Sequence, residues 1–386
     1  GTLFGVIAGI ASGSNYLTGP HQMKDAPYQN GISGWFIGQD LGSAASFNIS
    51  AQQKLFRLIG LEHGAWLHKN VKVSIERIRA STTTTTEYGT FSVVLRSISD
   101  TDSNVIVLER YDNCTLDPSS PDFIGRKIGD QFEKWDTTER RLKVYGDYPN
   151  NSKFIRVEMN SDVEAGSTDP VLLPFGYFGP PQYKNRTSMM ISASEGANLA
   201  NSFVRVSSSM PGRATIASGG GKGNQLILSH SFVTAAPLGT VTASFLFPED
   251  RLRSSSVGDG LSDATNAYFG MQTTRAASST SNDVSIADMH RLPYIGLGQT
   301  TNVPVDATTS TYTSDTLGID GYSYIFSLDD VYSSAASIYN YESGSRRSGD
   351  SVSAGGSYKT LLDAGYDRFT APFWGGFDAF DIKKPD

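Results

Sequence analysis

The chain of 386 residues contains a single cysteine, Cys114, so no disulfide can form within it and its stability must come from packing. Cys114 stands where an apolar stretch turns polar, with no histidine near it in sequence, and it reads as a small buried side chain, not a reactive thiol. Histidine is scarce too. His21, His63, His68, His230 and His290 are scattered, and His63 and His68 lie five apart, not the four that sets two ligands on one helix face. No HExxH run occurs, so exposed or capping roles are expected of them. The many serines form no Gly-x-Ser-x-Gly nucleophile elbow. Charged residues are only 18% of the chain and the net charge is −7, which argues against a nucleic-acid partner, because phosphate neutralisation needs clustered Lys and Arg. The basic pairs Arg140-Arg141, Arg346-Arg347 and Lys383-Lys384 are short and read as solvated surface, the last two being candidates for contacts with acidic neighbours. Long apolar runs are missing as well. Leu3 to Ile10 is short and has no basic flank, which excludes a signal peptide or membrane span at that run and leaves a buried strand.

Three near-motifs fail on chemistry. Gly219-Gly220-Gly221-Lys222-Gly223 has Gly223 where a phosphate loop needs a hydroxyl residue, and Ile216 where it needs its first glycine. Asp100, Asp102 and Asn104 have the opening spacing of a calcium loop, but Val105 and Tyr111 occupy the positions of its glycine and bidentate glutamate, so a β-turn between strands is the better reading. Asp378 and Asp381 flank aromatics near the end and suit a turn or a salt bridge. The N-x-S/T triplets at Asn48, Asn113, Asn150 and Asn185 are what a Ser- and Thr-rich chain forms by chance. No catalytic, cofactor-binding or metal-binding residue is expected.

What the chain does have is Ser, Thr, Gly, Asn and Tyr in place of charge, with a hydrophobic fraction of 38%. That balance suits a β-rich protein with many turns. Leu55, Leu58, Ile59 and Trp66 recur at helical spacing after Ser50, predicting one amphipathic helix over 50–67, weakened by Gly60 and Gly64. Val71 to Ile78 alternates as a half-buried strand should, and 90–98, 105–111, 132–135, 141–145 and 154–159 read as further strands. The stretch 107–130 has the clearest punctuation. A strand ends at an Asp112-Asn113 turn, a second turn follows at 117–121, and a short helix is capped by Ser120 with Pro121 at its first position. Phe123, Ile124 and Ile128 share that helix's face and Gly129 ends it. From 161 to 300 the chain is rich in Ser, Gly and Pro. A strand returns at 322–328, ended by Asp329-Asp330, then come a polar loop over 340–357 around Arg346-Arg347, a helical turn at 358–364, and an aromatic tail that needs a partner surface. The fold expected is α+β and β-rich, with antiparallel sheets in several domains: 1–160, 161–300, and a return segment at 301–386.

Five blocks, in order, carry a resemblance. They are Glu87 to Arg96 followed by Asp100-Thr101-Asp102, Leu116 to Asp130, Gly146-Asp147-Tyr148 with Phe154 to Glu158, Ala267 to Gly270, and Phe369 to Ile382. Together they resemble the tail sheath proteins of contractile-tailed bacteriophages, especially the T4-like phages and the giant myoviruses. The last block is similar to the family's P-F-x-G-G-x-D-G-x-D-I run, with Ala379 where glycine is usual, and 165–240 matches only loosely. The resemblance implies a common domain made from both ends of the chain with further domains inserted. It also implies hexameric rings stacked helically around a tail tube, with contraction driving the tube through the host envelope. The implied partners are copies of the chain itself, the tail tube protein, the baseplate and the tail terminator, with no nucleic acid and no membrane insertion. The implied location is the virion tail, with the host cytoplasm during assembly, and no cofactor is implied. The chain opens at Gly1 and stops at Asp386, just after the last block, so the family's strand-exchanging terminal arms would be absent and the isolated chain is expected to be mostly monomeric. A bacteriocin-like contractile device is the same reading in another setting. From a different class, a secreted β-rich carbohydrate-binding or carbohydrate-active protein predicts a cleft with carboxylates roughly 5 to 10 Å apart.

Overall fold

The computed structural model describes residues 30–83, 86–182, 252–256, 263–272, 324–335 and 338–376, and the backbone of short strands at 189–193, 203–208, 226–229, 241–243 and 320–322. The strands are β1 (Asn30–Ser33), β2 (Phe36–Ile37), β3 (Lys54–His63), β4 (Val71–Arg79), β5 (Thr90–Ser97), β6 (Val107–Cys114), β7 (Phe132–Asp136), β8 (Arg141–Tyr145), β9 (Ile155–Met159) and β10 (Gly176–Phe178). They continue with β11 (Pro181–Gln182), β12 (Met189–Ala193), β13 (Phe203–Ser208), β14 (Leu226–Ser229), β15 (Val241–Ala243), β16 (Phe269–Gly270) and β17 (Asp320–Tyr322). The last four are β18 (Ile325–Ser327), β19 (Val331–Ala335), β20 (Ile338–Tyr341) and β21 (Phe369–Trp374). The described helices are few and short, so the fold is β-rich and built on antiparallel sheets.

One sheet dominates, in the order β18-β10-β2-β3-β1-β21-β4-β5-β6, with β9 also on β3 and β16 parallel on β21. β21 is the hinge of this order. It lies antiparallel between β1 and β4, so the aromatic segment near the chain's end is interior sheet and finds there the partner surface it needs. β10 and β16, from the Ser- and Gly-rich middle of the sequence, are members of this same sheet. β12 to β15 make a separate four-stranded sheet, and β7-β8, β11-β17 and β19-β20 are two-stranded ribbons.

The predicted helix over 50–67 is instead β3, followed by a one-turn helix at Trp66–Asn70. Leu55, Phe56, Leu58 and Ile59 are all buried, interrupted only by Arg57. This is the pattern of a strand covered on both faces, which shares i, i+3 and i+4 positions with a helix. Leu67 packs over Gly60, where a Cβ would stand 3.0 Å from Leu67 Cδ2. Glycine there serves strand-to-helix packing. Ser50 caps nothing. Asn48 accepts from Ser50 N and opens a single 3-10 turn at Ile49–Ala51. The helix after the Asp-Pro turn begins at Ile124, not Pro121; Ser120 Oγ accepts from Asp122 N within the turn before it. Phe123, Ile124 and Ile128 are buried as predicted, and Gly129, at φ 104°, ends the helix. Asp112 and Asn113 belong to β6, Asn113 at φ 55°, and are not a turn that ends it. The 340–357 loop contains two one-turn helices, Ser345–Ser348 and Val352–Gly355.

The core is aromatic where the sheet's two halves meet. Phe36 stacks on Phe56 at 4.9 Å, Tyr177 on Phe369 at 5.8 Å, and Phe326 lies 4.9 Å from Tyr341. Offset and tilted pairs of this kind add about 0.5–1.5 kcal/mol each beyond their burial. β4 departs from half-burial. Its polar positions Lys72, Ser74 and Glu76 are as buried as Val73 and Ile75, because the 100–102, 252–256 and 263–272 segments cover the face meant for water.

Candidate functional site

Three features stand out from this frame: an open sheet edge with a projecting ribbon, and two buried ionic clusters. The edge is β6, last in the order, bonded on one side to β5 and, among the described residues, to no strand on the other. Val105, Ile106, Val107 and Leu108, four apolar residues in a row that lead into it and form its start, are 36% to 46% exposed. Soluble proteins usually blunt such an edge with charge or cover it. Beyond those four residues the strand is blunted: Glu109 accepts from Ser152 Oγ at 2.6 Å and Lys153 N at 2.9 Å, Arg110 pairs with Glu76 at 3.1 Å and Asp112 at 2.9 Å, and Lys127 Nζ donates to the carbonyls of Asp112 at 2.5 Å and Asn113 at 3.3 Å. Ile106 is held in place from the inner side, its N–H donating to Asp100 Oδ2 at 2.9 Å and its carbonyl accepting from Ser97 N at 2.9 Å.

The β7-β8 ribbon sorts its side chains by the two-residue period of a strand. Phe132 stacks on Tyr145 at 5.4 Å, and the Arg156 guanidinium lies 4.3 Å over Phe132, fixing that face to the body. The opposite face carries Trp135, Leu142 and Val144, exposed by 54%, 59% and 60%. Arg141 pairs with Glu139 at the ribbon's tip, as a solvated basic residue should.

The first ionic cluster lies beneath β4 and β5. Lys72 and Arg96 are directly opposite each other across the strands, a like-charge pair that would be unfavourable alone. Asp100 resolves it. Its carboxylate takes a fork from Arg96 Nε and Nη2, both at 2.8 Å, and lies 2.5 Å from Lys72 Nζ. Asp102 pairs with Arg96 and with Arg253, the latter at 2.6 Å. Tyr268 lays its ring 4.2 Å from the Arg96 guanidinium and donates its hydroxyl to Glu76 at 2.6 Å. Burial, and then the Arg96 charge, lower the Lys72 ammonium to about 8 against the pull of Asp100. The 100–104 segment is the turn that its residues predict, yet Asp100 is wholly buried.

The second cluster follows from strand direction. β2 and β18 flank β10, both antiparallel to it, so their C-terminal ends emerge side by side. Asp40 follows the one and Asp329-Asp330 the other, as predicted at a strand's end, but buried in a 3-10 turn. Asp40 N donates to Asp329 Oδ2 at 2.9 Å, and Arg346 donates to Asp40 Oδ2 from Nε at 3.1 Å and Nη2 at 2.9 Å. Asp330 Oδ1 accepts from Arg346 N at 3.0 Å. Burial pushes Asp329 up to about 7 and Asp330 up to about 6. Arg346 is therefore a buried ion-pair residue and not solvated surface; its neighbour Arg347 is exposed.

The remaining expectations sort simply. His68 is buried in the last turn of its helix, contrary to the exposed role expected, because that turn packs under β21. His21, His230, His290, the 219–223 run, Asn185, Asp378, Asp381 and the Lys383-Lys384 pair lie outside the described residues, as does the side chain of His63. Among the described residues no group of three or more His, Cys, Asp or Glu is set to hold a metal ion. Cys114 is buried as predicted, and burial pushes its thiol up to about 12. Because the thiolate is the nucleophile, native Cys114 is expected to react with iodoacetamide at pH 8 at least about a hundredfold more slowly than the urea-unfolded chain. Equal rates would mean that the site opens. Neither ionic cluster was legible as such in the sequence. The available signals were the Lys-x-Ser-x-Glu alternation of β4 and the paired acids after β18, which look the same whether water or a counter-charge faces them.

No family model, no curated protein and no solved structure matches the chain.

Proposed function

We propose that the chain is a subunit of a contractile tail sheath, a mechanical protein that polymerises with its own copies as stacked hexameric rings around a tail tube and shortens to drive that tube through a host envelope. The observation that carries the reading is the β6 edge, where a strand with no second strand beside it among the described residues begins with four exposed apolar side chains, Val105 to Leu108. Such an edge is a template for pairing, and in a protein that must remain soluble it calls for a partner.

Two further features support it. β21 closes the main sheet between β1 and β4, as a common domain built from both ends of a chain would require, and the separate β12–β15 sheet suits an inserted domain. Both chain-spanning ionic clusters are interior, so a subunit of this design would turn nearly as one body while its outer contacts break and re-form. The partners on this reading are the chain's own copies, the tube, the baseplate and the terminator, and the place is the virion tail.

Negative-stain electron microscopy of the full-length gene product, expressed alone, tests the proposal. Tubes of stacked six-fold rings are the expected result. A product that forms neither ring nor tube across salt, pH and concentration would overturn it.

A further inference from the structure

Among the described residues, the Asp40–Asp329–Asp330–Arg346 cluster holds three acids and one buried cation. With all three carboxylates ionised it carries two uncompensated negative charges, in a site where Asp329 and Asp330 are 0% and 1% exposed. A buried charge without a partner costs several kcal/mol in proteins, which favours the neutral form of one member. The hydrogen bonds identify which. Asp329 Oδ2 is saturated, accepting from Asp40 N at 2.9 Å and from Ser327 Oγ at 3.0 Å, whereas Asp329 Oδ1 is buried with no hydrogen-bond partner. Asp40 and Asp330, by contrast, each meet Arg346 directly, the one through its guanidinium and the other through its backbone N–H.

The groups facing Asp329 come from every element around it. They are Asp40 after β2, Asp330 on its own turn with Tyr341 and Glu342 beside it at the end of β20, and Arg346 with the exposed Arg347 on the 345–348 helix; the 352–355 helix brings no ionisable side chain. Only one cation is buried among them, and it is already engaged with Asp40. The contact joins segments 306 residues apart, and Arg346 also donates to the Gly42 carbonyl at 3.2 Å, so the cluster clasps the 38–42 segment to the 345–348 helix.

We propose that Asp329 makes this clasp a proton-operated latch: with a proton on Asp329 the 38–42 segment is held to the 345–348 helix, and loss of that proton releases it. The inference goes beyond the sheath reading and does not depend on it. The direction follows from linkage. An acid whose folded pKa is raised, here to about 7 by burial, contributes stability that is full below its unfolded value of about 3.9 and is lost as pH rises to about 7. Opening hydrates the carboxylate, so opening is favoured on the alkaline side.

Hydrogen exchange at single amides reads the latch, because Asp40 N–H and Arg346 N–H both end on its carboxylates. After correction for intrinsic rates, their protection is expected to fall about tenfold or more between pH 5.5 and 8. The amides of Leu58 and Val157, which donate to Ser33 Oγ at 2.9 Å and to the Gly129 carbonyl at 2.8 Å in the body of the main sheet, should hold theirs. In Asp329→Asn, which keeps an oxygen for Asp40 N and Ser327 Oγ, the fall should shrink at least about threefold, the residue belonging to Asp330. Constant protection in the unaltered chain, a parallel loss at Val157, or an undiminished fall in the variant would each overturn the latch. Should the variant not fold, the comparison of Asp40 and Arg346 with Val157 in the unaltered chain decides alone.

Discussion

Asp100→Asn is expected to lower the stability of the chain by about 3–5 kcal/mol, the cost of breaking a buried ion pair by removing one partner. The substitution keeps the shape of the side chain and removes only its charge. That charge is what separates Lys72 from Arg96, which face each other across β4 and β5 with side chains 1% and 0% exposed. Without it two cations remain buried against each other, with Arg253 nearby and Asp102 already shared between the two arginines. The same carboxylate accepts the Ile106 N–H, so the start of β6 loosens as well. Glu139→Gln, on the exposed ribbon tip, is the control and should leave the unfolding midpoint in place, as changes to exposed pairs do. Urea unfolding at pH 7 separates the two. A loss below about 1 kcal/mol for Asp100→Asn would mean that Lys72 sheds its proton or that water reaches the cluster, and the account given of it would fall.

The second large effect is on assembly. Replacing both Ile106 and Leu108 by lysine places two charges on the open run of β6, the device by which soluble proteins keep edges from pairing. Both side chains are exposed, so the unfolding midpoint should move by no more than about 0.5 kcal/mol. If the edge is a lattice contact, the full-length product carrying both lysines should lose at least about 90% of its sedimentable polymer, the loss expected where charge meets an apolar contact without a partner. Polymer in normal yield would remove β6 from the assembly contacts, whatever the fate of the sheath reading.

How far the sequence could be read depended on whether a residue's partner was near in the chain. The corner at 115–130 was legible because its determinants are local: an Asp-Pro turn, three apolar residues on one helix face, and a glycine at positive φ. β3 was misread because Leu55, Leu58 and Ile59 satisfy two periods at once. What decides between them is burial on both faces by β1, β2 and β9, and no window of sequence contains those strands. β4 was placed correctly and its environment was not. Its alternation shows which residues share a face, but not that Asp100, Arg253 and Tyr268 fold over the polar one. Arg346 failed for the same reason. A Gly- and Ser-rich context suggests water, and the acid that buries it is Asp40, at the other end of the chain. The resemblance drew on short ordered blocks, and four of them fall on elements of the main sheet or the turns beside it.

The place of β21 has a consequence for synthesis. Ser74 on β4 meets Thr370 on β21 through their hydroxyls at 2.9 Å, a contact spanning 296 residues, and β1 has β21 as its other neighbour. Until the ribosome has released Phe369–Trp374, β1 and β4 are two raw edges of an unfinished sheet, and most of the polypeptide is made before they can be joined. Loop closure of that length is slow, and strands held open during it are the ones that pair wrongly with neighbouring nascent chains. The main sheet therefore cannot close without one long-range step, the docking of this six-residue strand between β1 and β4.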